Sequence, residues 1–126
     1  MKVIDSLLYT KDHEWLRIED NQFYIGITDF AQGELGDIVF VDFTSLNETI
    51  KTGESIATIE AVKTIADVYS PVAGKVIKIN TLLEDQPESI NTDPYGDGWI
   101  ACVESSISID SIETLTSKDY LDFIGK

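Results

Sequence analysis

Turn residues cut this chain into short pieces, and that segmentation limits its fold more than any other feature. Apolar, β-branched runs recur at close intervals, and Gly, Pro, Asn or Asp stops each one before it reaches the length of a buried helix. Trp15-Leu16-Arg17-Ile18-Glu19 alternates with period two and ends at the turn Asp20-Asn21. Phe23 to Thr28 reads as a second strand, and Thr28 or Asp29 can cap a short helix from Phe30 to Leu35 that stops at Gly36. Asp37 to Phe43 is an apolar strand, followed by a polar connection over 44–53 that ends at the turn signal Thr52-Gly53. Ser55 to Glu60 and Ile65 to Tyr69 are two more strand-like runs, joined by Ala61-Val62-Lys63-Thr64. A strand over Lys75–Asn80, a short helix within Leu82–Ile90 limited by Pro87, and a strand from Trp99 complete the β body. The tail changes period: Asp110–Leu115 and Lys118–Ile124 carry helical spacing, with Ser117 placed to cap the last helix. The residues alone therefore predict a mainly β fold, a small sandwich or barrel of antiparallel strands with short helices. With 126 residues and no linker or low-complexity stretch, residues 1–126 are expected to form one domain.

Composition removes several functions. Nine basic residues against 23 acidic ones give a net charge of −14, which would repel a polyphosphate backbone or an acidic membrane surface. No nucleic acid and no membrane is expected as a partner. The same charge favours solubility and steering toward basic patches on other proteins. Cys102 is the single cysteine, so an internal disulfide is impossible, and its place in Trp99-Ile100-Ala101-Cys102-Val103 reads as core. One Cys and one His, His13, lie far apart and make no zinc site. No metal is expected. There is no phosphate-binding glycine loop and no nucleophile elbow. A carboxylate pair carries little information in so acidic a chain. The opening MKVIDSLLY has neither the apolar core of a signal peptide nor the Arg-rich look of a transit peptide. The expected location is the cytoplasm, or a mitochondrial matrix if a transit peptide has been removed.

Lys63 is placed near the tip of a hairpin, where spacing alone favours an ordinary solvated lysine. Its chemistry also suits a tether. A primary amine forms a stable amide with a carboxylic cofactor, an unbranched stem gives the arm reach, and a stiff hairpin fixes its root. Tethering then raises the local concentration of the cofactor at a docked partner.

Five ordered blocks carry a resemblance: Tyr9 with His13-Glu14-Trp15; Gly26 to Gln32; Leu35 to Val41; Glu60-Ala61-Val62-Lys63-Thr64 to Gly74; and Asn91 to Tyr95 with Gly98-Trp99. Along nearly its whole length the chain resembles the H proteins of the glycine cleavage system. That resemblance implies a lipoyl-carrier, barrel-sandwich hybrid fold of two antiparallel sheets with a helical C-terminus. It implies lipoate bound covalently as lipoyl-lysine at Lys63, installed by a lipoate ligase or a lipoyl/octanoyl transferase. It also implies three partners. A pyridoxal-phosphate glycine decarboxylase (P protein) loads an aminomethyl group, an aminomethyltransferase (T protein) passes it to tetrahydrofolate, and dihydrolipoyl dehydrogenase (L protein) reoxidises the dithiol. The chain would be a non-catalytic carrier, acting as a monomer.

The match has departures. Ala61 stands where the family usually has Ser, Thr64 where Ala is common, and Asp42-Phe43-Thr44 replaces a frequent Leu-Pro. Val62 and Thr64 are not the methionines that flank a biotinylated lysine, and Val62 is not the Asp common before the lysine of 2-oxoacid dehydrogenase lipoyl domains. Two alternatives stay open here: a lipoyl relay for other complexes, and an unmodified binding or regulatory protein.

An aminomethyl adduct is labile in water, so a carrier is expected to dock it in a cleft with a carboxylate for its ammonium. Glu14 is the first candidate, and the resemblance points the same way. Asp67 comes second, followed by Asp12 and Glu34. Gly26, Gly36 and Gly74 are expected to serve turns or close backbone approach.

Overall fold

The computed structural model describes residues 2–126. In chain order the elements are β1 (Leu8–Tyr9), β2 (Glu14–Glu19), β3 (Gln22–Ile27), α1 (Asp29–Leu35), β4 (Ile38–Phe43), β5 (Thr49–Ile50), β6 (Ser55–Ala61), β7 (Ile65–Tyr69), β8 (Gly74–Ile79), α2 (Leu82–Asp85), α3 (Ser89–Thr92), β9 (Ala101–Glu104) and α4 (Ser117–Phe123). They build a mainly β fold of two antiparallel sheets, ordered β1-β2-β3-β9-β8-β5 and β4-β6-β7. Among the described residues no helix is long and apolar enough to cross a membrane.

Period-two patterning sets which side chains go inside. Phe23, Ile25 and Ile27 of β3 alternate into the space between the sheets, where they meet Val41, Ile56, Ile59, Val68 and Val103. The first strands of the large sheet are covered on both faces. Leu16 faces the main core, while its neighbour Trp15 packs with Tyr9 and Tyr120 beneath α4. Both residues are buried, which explains why β2 lacks a polar face at its start. Cys102 lies inside this body, and burial pushes its thiol above the usual range, as suits an inert core residue.

Trp15 also explains Gly26. The two residues are directly opposed across β2 and β3, and the indole lies over the glycine, its Nε1 donating to Pro94 O at 3.0 Å. A Cβ on residue 26 would sit 2.5 Å from Trp15 Cε2. Neither the ring, bonded and buried, nor the strand backbone can yield cheaply. Gly26→Ala is therefore expected to destabilise the protein by roughly 1–3 kcal/mol through overpacking, measured by urea unfolding. An unchanged midpoint would show that the indole repacks freely. Gly74 is held in the same way, since a Cβ there would clash with the backbone oxygen of Glu104.

Thr28 caps α1, accepting from Ala31 N at 3.2 Å, and Gly36 closes the helix in the left-handed region (φ 80°). Three expectations are corrected. Over 110–115 there is no α-helix, only a 3-10 turn at Ile109–Ser111. Beyond it the chain extends, because Leu115 exchanges both backbone hydrogen bonds with Tyr9 and so covers the outer edge of β1. Edge pairing outweighs the helical spacing there. Thr116, not Ser117, caps α4, and the Ser117 hydroxyl donates to Asp5 instead. The strand expected from Trp99 begins at Ala101, since Asn80 Nδ2 holds the carbonyls of Asp97 and Trp99 in a loop. The short helix expected within Leu82–Ile90 is α2, which ends before Pro87, and α3 begins after it.

Candidate functional site

Lys63 stands exposed at the turn between β6 and β7. Glu60 opposes Ile65, and Ala61 N donates to Thr64 O at 2.8 Å, so the turn itself is only Val62-Lys63. Neither residue has positive φ. The turn is held from outside, because Val62 N donates to Asp37 O at 3.0 Å and so ties it to the foot of β4. The lysine root is thus fastened to a three-stranded sheet while its amine is free in solvent.

Two depressions lead away from it. A groove runs between Val62-Lys63 and the end of α1, lined also by Gly33, Glu34, Leu35, Gly36 and Asp37. A cleft of about 470 Å³ follows and shares Glu34 and Leu35 with the groove. Its floor is apolar, with Ile27, Phe30, Ala31, Ile59 and Val68, and Asp12, His13, Glu34 and Asp67 stand at its edges. From Lys63 to Asp67 is four residues of extended chain, about 13 Å. A lysine carrying a long acyl chain would fit that path, with a fixed root, a groove for the chain and an apolar floor for its end.

The four carboxylates do not form one cluster. Asp12, Glu34 and Asp67 border the cleft. Asp67 is opposed to Thr58, whose hydroxyl donates to Asp67 Oδ1 at 2.9 Å, and alternation puts this pair on the face opposite the buried Val68. The carboxyl of Asp67 is therefore engaged on the outer side of the sheet. Glu14 opposes Ile27, a floor residue of the cleft, but it lines a neighbouring hollow of about 310 Å³ with Thr10, Tyr69 and Ser70. Asp12 borders both spaces.

Glu14 is only 3% exposed. Thr10 Oγ1 donates to Glu14 Oε1 at 2.8 Å and accepts from Glu14 N at 3.2 Å. Burial dominates over that bond and pushes the carboxyl up to about 7. Near neutral pH this side chain is therefore poised to bind or release a proton. A cation arriving beside it would draw the proton off.

His13 borders the cleft without having been singled out by sequence as a site residue. It closes the tight turn from Thr10, with φ 67° and its N–H donating to Thr10 O at 3.1 Å. Its Nδ1 lies 2.9 Å from the Tyr120 hydroxyl, which in turn lies 2.7 Å from Thr28 Oγ1. Burial holds the imidazole below its usual pKa, against the opposing pull of Asp12 and Glu34. One phenol thus joins α4, the cap of α1 and the cleft edge. Only a left-handed backbone and a partner 107 residues away give His13 this place, and neither leaves a local mark in sequence.

Comparison with known proteins agrees with this arrangement. The profile of the family described as "Glycine cleavage H-protein" matches residues 7–125. A protein of Coprothermobacter proteolyticus named "Glycine cleavage system H protein" is 52% identical over 128 residues, covering 100% of each chain. A Listeria monocytogenes protein of the same name is 49% identical over 120 residues, covering 95% of this chain and 96% of its own. The crystal structure of a glycine cleavage system H protein from Mycobacterium marinum superposes with a TM-score of 0.89 at 36% identity, covering 98% of this chain and 100% of its own. With sequence and fold matched from end to end, the chain belongs to the glycine cleavage H-protein family.

Proposed function

We propose that Lys63 is the lipoylated residue and that the protein carries a one-carbon amine unit among the enzymes of glycine cleavage, performing no chemistry itself. The single observation that supports the reading most is the placement of Lys63: an exposed amine on a braced turn, joined by a groove to an apolar cleft. A lipoyl group supplies a disulfide that can take up the unit and be returned as a dithiol.

Each part of the chain has a task in this reading. The β6–β7 turn fixes the root, and the α1 wall and strand β7 guide the arm. The floor, Ile27, Phe30 and Val68 among it, excludes water from the end of the arm. Asp12 and Glu34 favour a cationic cargo at the cleft edge, and Glu14 is the buried carboxyl nearest to it in the fold, sharing Asp12 as neighbour. The partners are glycine decarboxylase, the aminomethyltransferase, dihydrolipoyl dehydrogenase and a lipoate ligase or lipoyl/octanoyl transferase. The protein works as a monomer in the cytoplasm, and its acidic surface steers it to basic patches on these enzymes.

The test is intact mass after incubation with lipoate, ATP and a lipoate ligase. One lipoyl adduct is expected, located at Lys63 by peptide mapping, and the modified protein is expected to support glycine–bicarbonate exchange with the decarboxylase. A chain that keeps its unmodified mass while a known lipoyl domain is modified in the same tube would end this reading.

A further inference from the structure

Four large apolar side chains stand in solvent around the lysine turn. Val39, Phe40, Val62 and Ile65 are 53%, 48%, 68% and 65% exposed. A bulge between Ile38 and Phe40 turns both Val39 and Phe40 outward while Ile38 and Val41 enter the core. Register then lays Phe40, Glu60 and Ile65 side by side across the three strands of the small sheet. The tie from Val62 N to Asp37 O brings the turn against the foot of β4. Acidic residues stand within and around this patch: Glu60 between the two apolar side chains, Asp37 at the foot of β4, and Asp42 and Asp67 in the next row.

We propose that this acid-edged apolar patch on the outer face of the small sheet is the docking surface for the enzyme that acylates Lys63. The proposal rests on the reading of Lys63 as the acylated lysine. Reach decides the occupant. In the acylation, the neutral Nζ bonds to the acyl carbon of an activated donor, an acyl adenylate or thioester. The bond from that carbon to the leaving phosphate or thiol breaks and its electron pair departs with that group; the ammonium gives up one proton to a base of the enzyme to become the neutral Nζ, and a second passes to the base or the leaving group as the amide forms. The reacting nitrogen is one lysine stem from the turn, so the enzyme's surface must close over Val62, Ile65 and Phe40. Partners that work on the far end of the completed arm have no such constraint. Charge fixes the chemistry of the docked face: apolar groups for Phe40, Val62 and Ile65, and basic groups for Glu60 between them and for Asp37, Asp42 and Asp67 at the edge.

The experiment uses the full chain with lipoate, ATP and a lipoate ligase. For Phe40→Ser with Ile65→Ser, kcat/KM for acylation is expected to fall tenfold or more, mainly through KM. The same variant, driven to full lipoylation with excess ligase, is expected to keep its glycine–bicarbonate exchange within about twofold of wild type. Ile18→Ser, an exposed apolar residue on the large sheet, is the control and should change neither rate. If the double variant loses its native circular dichroism, Asp42→Lys with Glu60→Lys replaces it. The expected result is then the same rise in KM, with the wild-type KM itself rising with salt.

Wild type left unacylated would remove the assignment of Lys63 and this proposal with it. Wild type acylated, with both variants acylated at its rate, overturns the docking surface alone. Unchanged acylation with a loss of exchange would give the patch to a partner that acts on the arm. Concentration-dependent dimers abolished by the substitutions would give it to a second copy. Either result overturns the proposal.

Discussion

Lys63→Arg is expected to remove carrier activity completely while leaving the folded protein as stable as wild type. The side chain is exposed, and the bonds that hold the turn, Ala61 to Thr64 and Val62 to Asp37, are all backbone. Arginine retains the positive charge and the long stem, so unfolding in urea should shift by no more than about 0.5 kcal/mol. What arginine lacks is a nucleophile, because its guanidinium keeps its protons at any pH the protein survives. No mass increment should appear with ligase, ATP and lipoate, and glycine–bicarbonate exchange should fall to background. An adduct on the variant would move the attachment to another of the lysines. Exchange without an adduct would mean that the protein acts without an arm.

The second large effect concerns Glu14. Its carboxyl is raised from 4.5 to about 7 by burial. Between those two pH values the folded protein holds a proton that the unfolded chain has released. Stability attributable to this side chain is therefore full below about 4.5 and declines as pH rises, until the folded group has also ionised near 7. At about 1.4 kcal/mol per pH unit, the loss approaches roughly 3 kcal/mol at pH 8. Glu14→Gln keeps the size of the side chain and the oxygen that accepts from Thr10, and it has no charge to desolvate. Urea unfolding at pH 4, 6 and 8 should give a variant similar to wild type at pH 4 and more stable at pH 8, by up to roughly 3 kcal/mol. Parallel stability curves would show that the carboxyl ionises freely in the fold. The same substitution should harm function. Once loaded with glycine by the decarboxylase, the variant is expected to release ammonia faster than wild type, by up to roughly tenfold, as the negative charge behind Asp12 at the cleft edge is lost. Equal release would take Glu14 out of any role at the cargo. Opposite signs in the two measurements are what distinguish a functional buried acid from a merely structural one.

Much of the β body was legible because period-two alternation directly encodes which face a strand buries. Strands β2, β3, β4, β6, β7 and β8 fall within a residue or so of where the alternation placed them. Thr28 and Gly36 announced the ends of α1 for local chemical reasons. The errors arise where backbone pairing decides. Residues 110–115 have helical spacing, but Tyr9 needs partners for its N–H and C=O, and Leu115 supplies both. The lysine turn was equally silent, since it has no glycine, no asparagine and no positive φ, and its ties run to Asp37 and Thr64. Its importance came from resemblance, not from turn chemistry. The carboxylates were named in sequence, yet their division between two hollows depends on strand register. Glu14 enters with Leu16, and Asp67 leaves opposite Val68.

Tyr120 has a bearing on how this protein is made. Its hydroxyl fastens the α1 cap to His13, and it is delivered by the last helix of the chain. Strands β6 and β7 and their lysine leave the ribosome well before that helix does. A nascent or prematurely stopped product lacking residue 120 would thus display an amine open to modification above a wall not yet latched. Translation has to pass residue 120 before the cap of α1 and the cleft edge at His13 are latched together.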